Sequence, residues 1–96
     1  MGFDFAPVSK TGYHLRYNAA GFNWLINYLE EWGFSPEKLA VLINMQYGKV
    51  IDGPTCREIA SFLEAHKGSL DEDHKRWVEC DTSKWLSSPD GFIYEP

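Results

Sequence analysis

No stretch of this sequence approaches the roughly 20 consecutive apolar residues of a membrane span, and no helical or strand pattern sits in a repeat, linker or low-complexity run. Cysteine is scarce, with only Cys56 and Cys80. A disulfide scaffold of this size normally carries more. Basic residues are also few, nine against fourteen acids, for a net charge of −5. A general nucleic-acid binder wants a basic face, so direct nucleic-acid binding is not expected. The glycines are scattered and fall into neither the dinucleotide-binding nor the P-loop spacing, so no phosphate cradle is expected. The opening MGFDFAPVSK lacks the basic n-region and apolar run of a signal peptide. It also has Ala6 where a myristoylation signal wants Ser or Thr. These absences predict a cytoplasmic protein with reduced thiols and no membrane association.

What the chain does have is aromatics: four Trp, five Tyr and six Phe in 96 residues. Each one buried removes about 150–250 Å² from water, which helps a chain this short to build a core. The length predicts a single domain spanning residues 1–96.

The stretch from Arg16 to Phe34 is the most informative. Phe22, Leu25, Ile26 and Leu29 recur at the spacing of one helix face. The pattern predicts a first helix over residues 19–32, capped by Asn18 and stopped at Gly33. Trp24 and Tyr28 widen its apolar side beyond the roughly 100° stripe of an ordinary surface helix. Either they pack beneath the chain ends, or they form an aromatic flank for a partner.

Ser35, Pro36 and Glu37 signal the start of a second helix. Leu39, Leu42 and Ile43 should be its main stripe. Val41 and Met45 lie elsewhere on the wheel, which predicts a central helix buried on most sides and ending near Tyr47-Gly48. Thr55 with Glu58, and Ser69 with Glu72, read as capping boxes for a third and a fourth helix. The third should face the core with Cys56, Ile59, Phe62, Leu63 and His66, and the fourth with Leu70, His74, Trp77 and Val78. One more helical turn over residues 82–86 is expected beyond it. Around these helices, Phe3, Phe5 and Val8 could pair with the alternating Tyr13, Leu15 and Tyr17 through a turn at residues 9–12, with Pro7 confining the first strand to an edge. Val50-Ile51 and Phe92-Ile93-Tyr94 suggest two further short strands. The expected fold is mainly α within the α+β class: a compact four-helix domain with a small β element from the N- and C-terminal segments.

Chemistry is harder to find. Cys56, His66, His74 and Cys80 are separated by nine, seven and five residues, which matches no zinc pattern of paired close ligands. Cys56 and His66 are ten residues apart, a turn of roughly 280° or about 80° the short way around one helix, so they differ in direction though both touch the apolar side. Cys56 near a helix start is the one thiol placed as a nucleophile would be, with His66 or His74 as base, but no oxyanion-hole motif accompanies it. These residues are expected to be two core thiols and two core-edge histidines; no metal, cofactor or catalytic residue is expected. Helix-turn-helix DNA recognition would need more cations on the third helix than Arg57 and Lys67. Asp71, Glu72 and Asp73 are consecutive and point about 100° apart, so they suit the dipole of the fourth helix better than a ligand. With Glu79 and Asp81 they could also form an acidic surface.

The order of Tyr13 to Asn18, Gly21 to Leu25, a helix ending in Trp32-Gly33-Phe34, a capped TCREIASFLE helix and a closing Gly91-Phe92-Ile93 resembles an uncharacterised family of small bacterial and phage proteins. Those share an R-x-N-x-x-G-[FW] opening and a GF-type C-terminal end. The chain departs from the pattern at Ser88-Pro89-Asp90 and at the Asp71-Glu72-Asp73 segment. The resemblance implies no activity and no catalytic residue. It implies a setting in which small acidic proteins act as inhibitors, anti-CRISPR proteins among them.

The sequence therefore predicts a non-enzymatic protein–protein interaction module. Trp24 and Tyr28 would anchor it; Glu31, Asp71, Glu72 and Asp73 would steer it toward a protein with a basic surface, such as a nucleoprotein complex. The competing readings are a small Cys/His metal-binding or thiol enzyme, and a self-associating domain with the first helix as a homodimer contact.

Overall fold

Alternating apolar residues at the two chain ends build the sheet. The computed structural model describes residues 2–95. Strand β1 (Gly2–Pro7) pairs antiparallel with β2 (Leu15–Asn18) on one side and with β4 (Phe92–Glu95) on the other. The two-residue β3 (Val50–Ile51) adds to β4, giving four antiparallel strands in the order β2-β1-β4-β3. Phe5, Leu15, Tyr17, Ile51, Phe92 and Tyr94 point to the helices and are buried. Asp4, Arg16 and Glu95 belong to the opposite face, where Asp4 and Arg16 are register partners with nitrogen and oxygen 3.9 Å apart.

Four helices cover the apolar face: α1 (Ala19–Glu31), α2 (Pro36–Ile43), α3 (Gly53–His66) and α4 (Glu72–Leu86), with a 3-10 turn at Lys67–Ser69. Phe22, Leu25, Ile26 and Leu29 of α1 are all buried. They meet Leu39, Leu42, Ile59, Leu63, Val78 and Trp85 from the other helices in one core.

Each helix starts on a side-chain cap. Asn18 Oδ1 accepts from Gly21 N at 2.6 Å and Ser35 Oγ from Lys38 N at 3.5 Å, as expected. The other two caps differ from the expected capping boxes. Asp52 Oδ1 accepts from Thr55 N at 2.8 Å, and Asp71 Oδ1 from His74 N at 2.9 Å. In both cases an aspartate lies closer to the observed helix start and takes the role expected of Thr55 or Ser69. Ser69 Oγ donates instead to the His66 carbonyl.

Other expectations also change. Strand β1 is central, not an edge. Val8 N–H donates to Gly91 O at 2.9 Å, so the nitrogen of Pro7 faces the other side, where pairing with β2 has already ended at Phe5–Leu15. Tyr13 lies outside β2 and is 67% exposed. The sheet takes the expected Val50–Ile51 strand from mid-chain as well as strands from the ends, so the β element is larger than one built from the terminal segments alone. Helix α2 stops at Ile43, where the backbone N–H and side-chain Nδ2 of Asn44 both donate to the Ala40 carbonyl. It is not buried on most sides, because Val41 and Ile43 are more than half exposed. Helix α4 runs unbroken through residues 82–86.

The loop before β4 is pinned against two other segments. Ser88 Oγ donates to Gly91 O at 2.6 Å and accepts from Ser9 N at 3.0 Å, joining the β1–β2 turn to the approach to β4. Gly53 faces the Pro89 carbonyl so closely that any Cβ would collide with it.

Candidate functional site

Helix α1 and its C-cap place Trp24, Tyr28 and Trp32 at four-residue spacing, so the three rings follow one another along one flank. Trp24 and Tyr28 meet edge-on at 4.1 Å between centroids, and Tyr28 and Trp32 are 4.8 Å apart. All three are half-buried. The flank packs against α3 and α4, not beneath the chain ends. Trp24 meets Trp77 at 4.5 Å and 89°, and stacks on the His74 ring at 4.8 Å. Trp32 stacks on His66 at 5.1 Å, and His66 meets Phe62 at 4.4 Å. The rings form a continuous aromatic seam along the outside of the helical layer.

At one end the seam opens into a cleft of about 360 Å³ lined by Ala20, Gly21, Trp24, Asp73, His74 and Trp77. It lies between the first turns of α1 and α4. Of the six acids and aromatics singled out from the sequence, two line the cleft and four lie around it. Trp24 and Asp73 line it directly. Tyr28 is one helical turn further along the seam. Glu31 lies on the same side of α1 as Trp24, about 10 Å along the axis, and is exposed. Asp71 and Glu72 are engaged nearby: Asp71 with the backbone and ring of His74, Glu72 with Lys75 at 3.7 Å. The hydrogen bonds from the His74 backbone, then from its ring, hold the Asp71 carboxyl below its ordinary range.

Of the expected core stripe of α4, Val78 is buried and Trp77 is half-buried and packed against the core, whereas His74 is exposed. The pairing of Trp77 and His74 with Trp24 depends on how α1 and α4 come together, which neither helix's own pattern carries. The surplus aromatics Trp24 and Tyr28 on α1, and Trp77 beside His74 on α4, are the signal the sequence offers.

The remaining Cys and His residues are dispersed. Cys56 is buried in α3, with its thiol 3.7 Å from Ile51 O. Burial first, and then the nearby Asp52 carboxylate, push that thiol up to about 12, which opposes thiolate chemistry. Cys80 is exposed on α4 and not the core thiol expected. The His66 ring sits 2.8 Å from Phe62 O through Nδ1. Among the described residues no group of three or more His, Cys, Asp or Glu is placed to hold a metal ion.

Asp81 also departs from expectation. It is not on an acidic surface but 7% exposed, inside the joint between β2 and α4. Tyr17 Oη donates to Asp81 Oδ2 at 2.6 Å, and Trp85 Nε1 donates to Asp81 Oδ2 at 3.2 Å and to Tyr17 Oη at 3.1 Å. Burial pushes the Asp81 carboxyl up to about 6, against the downward pull of these two donors and of Lys84. Tyr17 is raised well above the ordinary tyrosine range by burial and by the Asp81 charge. Its ring lies 6.2 Å from Trp77, which places this buried triad directly behind the cleft.

Comparison with protein-family models, curated proteins and solved structures returned no match. No helix among the described residues is long and apolar enough to cross a membrane. The fold is α+β, with four helices over a four-stranded antiparallel sheet.

Proposed function

We propose that this chain is a small, acidic, non-enzymatic protein–protein interaction module that inhibits a partner by covering its basic surface. The observation that carries this reading is the cleft where Trp24 and Trp77 meet beside Asp73, with no lysine or arginine in its lining. Half-buried tryptophans at a surface are strong anchors for a partner, and a like-signed rim steers it. Glu31, Asp71 and Glu72 extend the acidic character along the same side. The resemblance to small bacterial and phage proteins fits an inhibitor of a nucleoprotein complex, met through its protein component.

The thiol-enzyme alternative loses support from the burial and raised pKa of Cys56. Self-association has a separate basis. Val41 and Val50 line a shallow cleft with Met45 beside the edge strand β3, and both are more than half exposed. Sedimentation velocity at micromolar concentration decides it: a monomer at all concentrations removes the homodimer reading.

The interaction reading requires that the flank be dispensable for folding. Truncating a half-buried aromatic should cost about 2 kcal/mol, within the stability of a domain this size. Trp24→Ala and Tyr28→Ala are therefore expected to unfold cooperatively in urea with reduced midpoints. If either chain is unfolded without denaturant, the flank is core and the proposal fails.

A further inference from the structure

The cleft between α1 and α4 has a more specific chemistry than a general apolar anchor. Two walls are the indoles of Trp24 and Trp77 at right angles. Ala20 and Gly21 keep another wall low. Its polar groups are the Asp73 carboxylate and the His74 ring. His74 Nδ1 lies 2.8 Å from both oxygens of Asp71. A carboxylate at neutral pH only accepts, so Nδ1 carries a proton and the ring is held in place by Asp71.

An anion is poorly matched here despite the two helix starts. The Gly21 and His74 backbone N–H groups are already taken by Asn18 and Asp71. Glu72 and Asp73 further offset the positive end of α4. The Asp73 carboxylate brings negative charge to a lining without lysine or arginine, and the walls are aromatic. That combination fits a planar cation rich in donors. A guanidinium offers five N–H donors and no acceptor, is weakly hydrated and stacks on aromatic rings. A lysine ammonium is compact and strongly hydrated, so it gains less from indole walls.

We propose that the Trp24–Trp77 cleft receives an arginine side chain from the partner protein, with the guanidinium laid against the exposed indole surface and bonded to the Asp73 carboxylate. This assignment rests on the interaction reading above and names the group that the reading would recognise.

The test is a titration of the full chain, followed by ¹H–¹⁵N NMR, with a blocked arginine tripeptide and its citrulline twin. Citrulline keeps the shape and loses the charge. The expected result is a saturable shift of the Trp24 and Trp77 indole N–H signals with arginine and not with citrulline. Asp73→Asn should weaken the affinity about five-fold, by loss of a charge-assisted contact. Asp73 is exposed and its side chain makes no hydrogen bond in the described structure, so this variant should fold. No shift at the indoles, an equal response to citrulline, or unchanged affinity in Asp73→Asn overturns the assignment. Tighter binding of a trimethyl-lysine peptide overturns it in favour of a quaternary ammonium. Self-association abolished by Asp73→Asn overturns it in favour of an arginine from a second copy. If the arginine peptide fails while capture of a partner still depends on Trp24, the arginine assignment falls and the interaction reading stands. If capture also fails, the interaction reading falls with it.

Discussion

Asp81 is the residue whose chemistry departs furthest from its surface-acid appearance in the sequence. Its carboxyl is raised to about 6 in the folded chain and returns to the ordinary aspartate range when unfolded. Between those values the folded chain holds a proton that the unfolded chain has released. Stability therefore rises as pH falls from neutrality through about 6, and is lost as pH rises back through it. Urea midpoints measured from pH 8 to pH 4.5 should show this rise, of about 2 kcal/mol. Asp81→Asn should flatten the profile near pH 6; an unchanged profile would show that another group titrates there. The thiols give a second prediction at this scale. Cys80 is exposed and Cys56 buried, so an aromatic disulfide reagent should modify one thiol rapidly in the native chain and the second only on unfolding. Two rapid modifications would contradict the burial of Cys56.

At the scale of elements, local chemistry was a good guide to helices and a poor one to what holds them together. Asn18, Ser35, Pro36 and Gly33 act locally, and α1 and the start of α2 follow from them. The start of α3 lies three residues before the one expected from Thr55, because Asp52 and Thr55 are both good caps. Asp52 wins because its extended backbone precedes the helix and its oxygen reaches Thr55 N. Replacing Asn18 by Ala should cost about 1 kcal/mol, the ordinary value of an N-cap. Asp71→Ala should cost at least as much, because Asp71 both caps α4 and holds the His74 ring. Urea unfolding measures both, and a neutral Asp71→Ala would show that His74 caps itself through another contact. The exposure of Val41 and Ile43 was not legible, because an apolar pattern on a short helix does not say how many of its sides find a partner.

For the whole molecule, what the sequence hid was juxtaposition. Phe22, Leu25, Ile26 and Leu29 announce a core face, and the core forms there. Trp24 and Tyr28 announce surplus aromatic surface, and it is half-covered along α3 and α4. That Trp24 would meet Trp77, and that Asp73 would stand beside them, depends on a separation of more than fifty residues in the chain. The same is true of Tyr17, Asp81 and Trp85, which form one buried network from two distant elements. The two Trp residues on α4 therefore divide the molecule. Trp85 is fully buried and bonded to Asp81 and Tyr17, whereas Trp77 is half-exposed at the cleft. Trp85→Ala should cost about 4 kcal/mol and threaten the fold, while Trp77→Phe should leave it intact.

The most direct measurement of the central claim is capture from a lysate of the source cells, with nuclease present, by the wild-type chain and by folded Trp24→Ala and Tyr28→Ala variants. The predicted result is one protein recovered in stoichiometric amount by the wild type, unaffected by nuclease and lost with both variants. Recovery of the same proteins by all three chains, or loss of the partner on nuclease treatment, would contradict the account of the aromatic flank as a protein-binding surface.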